Sequence, residues 1–114
     1  MTTIAAMTTD NNNKYQTVFW GFLQADDDGV VSDLGKYPDK TLQIMGVVGA
    51  VGTFVLEGSM DNSTWVPLTS NGVDPIGTLG MFYVWENPRY FRPRTIGGDG
   101  ATLIAFTLGM STLV

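Results

Sequence analysis

Neither cysteine nor histidine occurs anywhere in the 114 residues. Without histidine, Ser–His–Asp and Cys–His nucleophile systems are excluded, as are the usual imidazole metal sites. Without cysteine there is no disulfide framework, no thiolate nucleophile and no zinc–thiolate site, which fits folding in a reducing cytosol. Charge is also scarce. Asp, Glu, Lys and Arg make up 15% of the chain, against roughly 25% in an average soluble domain. Much of the surface must then be Thr, Ser, Asn, Gly or apolar, and such a surface suits permanent contact with a partner. The charge that is present leans acidic, a formal net of −5, so a phosphate backbone would be repelled and nucleic acid is not an expected partner.

Long hydrophobic runs are missing as well. The opening MTTIAAMTTDNNNK has no basic n-region followed by an apolar stretch, so no secretory signal is expected there. The longest uncharged run, Thr41–Leu56, is interrupted by Gly46, Gly49 and Gly52, and is shorter than the roughly 18 apolar residues that mark a spanning helix. No membrane partner is expected.

What the chain does carry is β-strand patterning. Tyr15–Leu23 (YQTVFWGFL), Thr41–Val48, Thr53–Gly58, Thr64–Leu68, Met81–Trp85, Arg89–Thr95 and Ala101–Gly109 are rich in aromatic and β-branched residues. In Thr53–Gly58, Phe54 and Leu56 share one face while Thr53, Val55 and Glu57 share the other, the two-residue period of a half-buried strand. Ile104, Phe106 and Leu108 alternate likewise with Leu103, Ala105 and Thr107. Ser59–Ser63 supplies turn chemistry, and Pro67 marks a sheet edge or a strand end. Residues 24–40 read as an acidic loop with a short strand at Val30–Val31. No helical stripe is present. The expected fold is all-β: an antiparallel β-sandwich, jelly-roll-like, of about seven to nine strands. Residues 14–114 form its single domain, and residues 1–13 form an extended N-terminal arm, read either as a frayed terminus or as a segment that becomes ordered on a neighbouring subunit.

Candidate chemistry is thin. Asp26, Asp27 and Asp28 before Gly29 invite a calcium reading, but an EF-hand register fails: its first ligand position would be Gln24 and its closing position Gly35. A solvated acidic turn is the simpler reading. Asn62-Ser63-Thr64 matches a glycosylation acceptor pattern and signals an exposed turn. Gly46, Gly49 and Gly52 do not follow the dinucleotide fingerprint. Paired carboxylates remain the one conceivable catalytic device, yet no acid sits in a recognisable motif, and the chain does not read as an enzyme. No cofactor and no small-molecule substrate are expected.

Arg89, Arg92 and Arg94 hold half of the six positive charges. On an extended strand Tyr90, Arg92 and Arg94 share one face, a composition found at binding hot spots. The competing reading is intramolecular, with these arginines pairing to Glu57 or Glu86. Trp20, Trp65 and Trp85 could stack on sugar rings, though burial is the commoner fate of tryptophans inside strands.

At Glu57-Gly58-Ser59, Asp61, Asn62, Trp65, Val66 and Leu68, and again at RYFRPRTIGGDGATLIAFTLG, the sequence resembles small virion proteins of tailed bacteriophages. Size and composition are most similar to those of capsid decoration, or cement, proteins. The resemblance implies a β-sandwich on the outer capsid surface of the virion, made in the host cytoplasm. It also implies a homo-oligomer, dimer or trimer, that bridges major capsid protein subunits. The residues expected to touch partners are Thr2, Thr3, Ile4, Asn11, Asn12 and Asn13 of the arm and the Tyr90/Arg92/Arg94 ridge. The hairpin is also similar to part of discoidin-type sugar- or lipid-binding sandwiches, which leaves a glycan- or receptor-binding module, or another head or tail component, as the alternative.

Overall fold

A computed structural model describes residues 2–11, 15–33, 39–70, 72 and 74–111. In chain order its strands are β1 (Thr3–Ile4), β2 (Ala6–Asn11), β3 (Tyr15–Leu23), β4 (Asp28–Gly29), β5 (Ser32–Asp33), β6 (Asp39–Val47) and β7 (Thr53–Ser59). They continue as β8 (Val66–Pro67), β9 (Thr69–Ser70), β10 (Asp74–Pro75), β11 (Gly80–Tyr83), β12 (Tyr90–Ile96) and β13 (Leu103–Ser111). The strands beyond the expected seven to nine are two-residue pieces and the N-terminal pair β1 and β2. No helix occurs among the described residues.

Two sheets pack face to face. One runs β1-β4-β12-β7-β8, with β5 also on β12, and the other runs β11-β6-β13-β3-β2. Among the described residues every strand pairing is antiparallel except that of β1 with β4. Taking β3, β4, β6, β7, β8, β11, β12 and β13 as first to eighth, the sheet orders are first-eighth-third-sixth and second-seventh-fourth-fifth. That is the connectivity of a jelly roll, so the expected architecture is the observed one. A further small hairpin joins β9 to β10.

The core lies between the sheets. Val18, Trp20 and Leu23 of β3, Leu42 and Ile44 of β6, and Ile104, Phe106, Leu108 and Met110 of β13 face Phe54 and Leu56 of β7 and Phe91 of β12. Phe54 and Phe106 meet edge to face, ring centroids 6.1 Å apart. Gly29 is buried where β4 crosses this core: a Cβ there would lie 2.6 Å from both Pro93 and Trp20. Trp20 is fully buried, and its indole N–H donates to the Val30 carbonyl at 2.9 Å.

Three expectations need correction. Residues 2–11 are extended, but they are not a free arm. Ile4 and Ala6 pack on the core, and β1 and β2 pair with β4 and β3 in opposite sheets. Threonine-rich sequence has good β propensity even where apolar alternation is weak. The short strand expected at Val30–Val31 is replaced by β4 and β5 on either side of it. Strand β7 is buried on both faces rather than half-buried, with Val55 and Glu57 covered as well as Phe54 and Leu56. Pro67, by contrast, lies where a missing N–H is tolerated, on the edge strand β8.

Candidate functional site

The arginine cluster assembles as the alternation requires. Phe91, Pro93 and Thr95 point inward, while Tyr90, Arg92 and Arg94 share the outer face of β12. Register then decides their chemistry, because Arg92 stands directly opposite Glu57 on β7. The Arg92 Nε donates to Glu57 Oε1 at 3.0 Å, and Arg94 Nε approaches the same oxygen at 3.9 Å. The Glu57 side chain is only 7% exposed. Above it the Arg92 guanidinium lies 4.3 Å from the Trp65 ring centroid, a stacked cation that closes over the carboxylate. Arg89 pairs instead with Asp33 at 3.1 Å, both exposed. Glu86 is engaged elsewhere: burial tends to raise its pKa, but hydrogen bonds from the Thr69 hydroxyl and amide hold it below the ordinary glutamate value. The intramolecular pairing to Glu57 is therefore present, and Arg94 and Tyr90 remain the more accessible members of the ridge.

The N-terminal residues named as contacts are engaged within the chain. The Thr2 amide donates to Asp27 Oδ1 at 3.1 Å, the Thr3 hydroxyl donates to Asp28 Oδ1 at 2.8 Å, and the Ile4 carbonyl accepts from the Val30 amide. Asn11 ends β2 opposite Tyr15. Asn12 and Asn13 lie outside the described residues.

The same contacts explain the aspartate run. Asp26, in left-handed backbone at φ 54°, accepts from the Gly97 amide at 2.7 Å. Asp27 is buried and accepts from the amides of Thr2 and Gln24. Asp26 caps the Gly97 turn while Asp27 and Asp28 both hold the Thr2–Thr3 segment, and no group of acids among the described residues is arranged to hold a metal ion. The hairpin turn works in the same way. Asp61 accepts from the amides of Thr64 and Ser63 and from the Ser59 hydroxyl, which together hold its pKa at about 2.

Of the three tryptophans, Trp20 is core and Trp65 is stacked under Arg92, but Trp85 is 60% exposed. Burial was the expectation for all three; Trp85 escapes it because it shares the outward-facing alternation of Met81 and Tyr83, with Val84 turned inward between them. Its indole rests against Gly72. Beside this segment an open, mainly apolar groove of about 540 Å³ lies between Met60, Val66, Leu68 and Pro88, with Glu86 and Asn87 at its polar side.

Two features had no counterpart in the sequence reading. Lys40 alternates with Leu42 and Ile44 and so points inward, where it is 1% exposed. Its Nζ donates to Asn87 Oδ1 and lies 5.3 Å from the Phe91 ring centroid. Burial, partly offset by the Asp39 carboxylate, lowers its pKa to about 8. The second is the outer face of the β11-β6-β13-β3-β2 sheet. One cross-strand row runs Met81, Gln43, Thr107, Phe19, Met7. Next to it stand Tyr83, Thr41, Gly109 and Thr17, and on the other side Met45 and Val47 with Leu103 and Phe22. Met7, Phe22, Met45, Val47, Met81, Tyr83 and Leu103 are each 40% exposed or more. Among the described residues this face carries no charge from Thr41 onward, and Asp39 stands at its end.

No family model matches the sequence, and no curated protein matches it either. Among solved structures the chain is similar to the SPBc2 prophage-derived protein YomS, with a TM-score of 0.61, 9% identity, and coverage of 90% of this chain and 98% of that one. What is shared is the fold. Weaker likenesses are to the periplasmic g-type lysozyme inhibitor PliG of Aeromonas hydrophila (TM-score 0.47, 11% identity, 96% of this chain and 95% of that one). Another is CBM32-3 from a family 31 glycoside hydrolase of Clostridium perfringens (TM-score 0.42, 16% identity, 83% and 74%).

Proposed function

We propose that this chain is a structural protein of a bacteriophage virion: a decoration, or cement, protein that binds the outside of the capsid. It bridges major capsid protein subunits, and it does so as a homo-oligomer. The observation that carries this reading is the uncharged outer face of the β11-β6-β13-β3-β2 sheet. An isolated soluble domain rarely exposes a contiguous apolar patch of more than a few hundred Å², whereas an assembly subunit needs one. The jelly roll shared with a prophage-derived protein agrees with a phage origin, and so do the virion-like hairpin motifs of the sequence.

Such a protein needs a rigid wedge and surfaces, not an active site. Because it binds the assembled shell and not free subunits, it stabilises the shell by mass action. Several copies joined together raise avidity without demanding a tight contact at any one patch. Tyr90 and Arg94, on the opposite sheet, are suited to meet an acidic capsid surface. The test is co-sedimentation of purified protein with capsids lacking it. Arg94→Glu is expected to weaken co-sedimentation at least tenfold while leaving the fold intact, since its 3.9 Å approach to Glu57 is the looser of the two. Absence of any capsid binding by the unaltered protein refutes the proposal.

The exposed Trp85 favours a second reading, a glycan-binding module. Quenching of tryptophan fluorescence by host surface glycans, lost in Trp85→Ala, would establish it.

A further inference from the structure

We infer that the uncharged outer face of the β11-β6-β13-β3-β2 sheet is covered by the same face of a second copy, so that the chain is a face-to-face dimer. This rests on the reading above only in taking the chain to be an assembly subunit.

Three observations single out a second copy as the occupant. The first is charge. With a net of −5, two copies repel each other except where the acids are absent. Asp26, Asp27, Asp28, Asp33, Glu57, Asp61, Asp74, Glu86 and Asp99 all lie outside this sheet, Asp10 of the edge strand β2 pairs with Gln16 at a register position that alternates with the Met7 and Thr9 rows of this face, and Asp39 stands at the end of the face. A partner of opposite charge would find nothing here to pair with. A partner with charged groups would bury them unpaired, at a cost of several kcal/mol per ion.

The second is relief. Along the central strand β13 the face is floored by the fully buried Ala105 and by Thr107 and Gly109, with Leu103 exposed at one end. On one side stand Met45, Val47, Met81 and Tyr83, and on the other Phe19, Phe22 and Met7. The face is thus a shallow trough between two apolar ridges. A surface holding both ridge and trough is self-complementary under a twofold axis, which seats the ridge of each copy in the trough of the other. Methionine, unbranched and polarisable, adapts well to such a seat. Two further sheet faces would then stack as the inner ones do, about 10 Å apart.

The third is size. Five strands at about 4.8 Å and roughly seven residues at about 3.3 Å give a plane of about 500 Å² per copy. A pair therefore covers about 1,000 Å², the threshold for a specific interface.

The test is the mass of the purified protein in solution by light scattering, compared with Met45→Asp/Met81→Asp. Both positions are exposed, so the double variant is expected to fold with unchanged circular dichroism and to show half the mass of the parent. Should that variant fail to fold, Thr107→Cys, a mild change at the trough in a chain without other thiols, supplies the second measurement. A short bismaleimide is expected to link it into dimers, whereas Thr64→Cys on the hairpin turn stays monomeric. A monomeric parent overturns the inference, and so does a dimer that survives the two aspartates. If the parent is monomeric and the aspartates abolish capsid co-sedimentation instead, the face belongs to the capsid; the dimer is then refuted while the virion reading stands.

Discussion

Replacing Lys40 with methionine should flatten the pH dependence of this protein's stability between about pH 8 and 10.5. An ammonium 1% exposed among Leu42, Ile44 and Phe91 has lost most of its hydration. The fall of its pKa from 10.5 to about 8 corresponds to about 3 kcal/mol of destabilisation at neutral pH, at roughly 1.36 kcal/mol per pH unit. Lys40→Met removes this titration, while giving up the hydrogen bond to Asn87 and the contact with the Phe91 ring. The sign of the pH dependence follows from the proton count. Between pH 8 and 10.5 the unfolded lysine holds its proton while the folded one releases it, so the unfolded state binds more protons and stability rises with pH. Below pH 8 the penalty is present in full. Urea titrations at intervals from pH 7 to 10.5 should therefore show the parent gaining up to about 3 kcal/mol relative to the variant, because tyrosine ionisation affects both alike. Parallel curves would show that the folded lysine keeps its ordinary pKa and the reasoning is wrong.

Glu57→Ala strands the Arg92 guanidinium beside a lost carboxylate and should cost about 3 kcal/mol in chemical denaturation; a change below about 0.5 kcal/mol would place that pair among ordinary surface pairs. Deleting residues 1–11 removes β1 and β2 and uncovers Ile4- and Ala6-facing core, so a lowered melting temperature and aggregation are expected, whereas a free arm would leave both unchanged. Gly29→Ala drives a methyl into Pro93 and Trp20 and should lower the melting temperature more than Gly100→Ala, whose Cβ meets nothing within 4 Å.

The long strands were legible because aromatic and β-branched residues alternate in them, and the hairpin at Thr53–Leu68 because Asp61 and Asn62 carry unmistakable turn chemistry. Asn62 indeed sits in left-handed backbone, φ 60°. The Tyr90/Arg92/Arg94 ridge was legible from period alone, and so was Glu57 as one of two candidate counterions. Strands β4 and β5 were hidden because two residues in an Asp/Gly-rich segment hold no pattern; their partner β12 creates them. Lys40 was hidden by its own charge, although the alternation Lys40, Leu42, Ile44 places it inward. The uncharged sheet face was present in the composition as a shortage of charge. Only the register of strands far apart in sequence shows that Met7, Phe19, Thr107, Gln43 and Met81 form one row.

Strand β13, the last of the described strands in chain order, occupies the middle of its sheet, hydrogen-bonded to β3 on one side and β6 on the other. A nascent chain that has emerged only to the Gly97–Gly100 turn therefore holds two ribbons with open edges and no wedge between them. Such edges invite pairing with other chains. Completion of the fold waits on β13, and a chain cut at that turn would be a sticky half-shell rather than a slightly shortened protein.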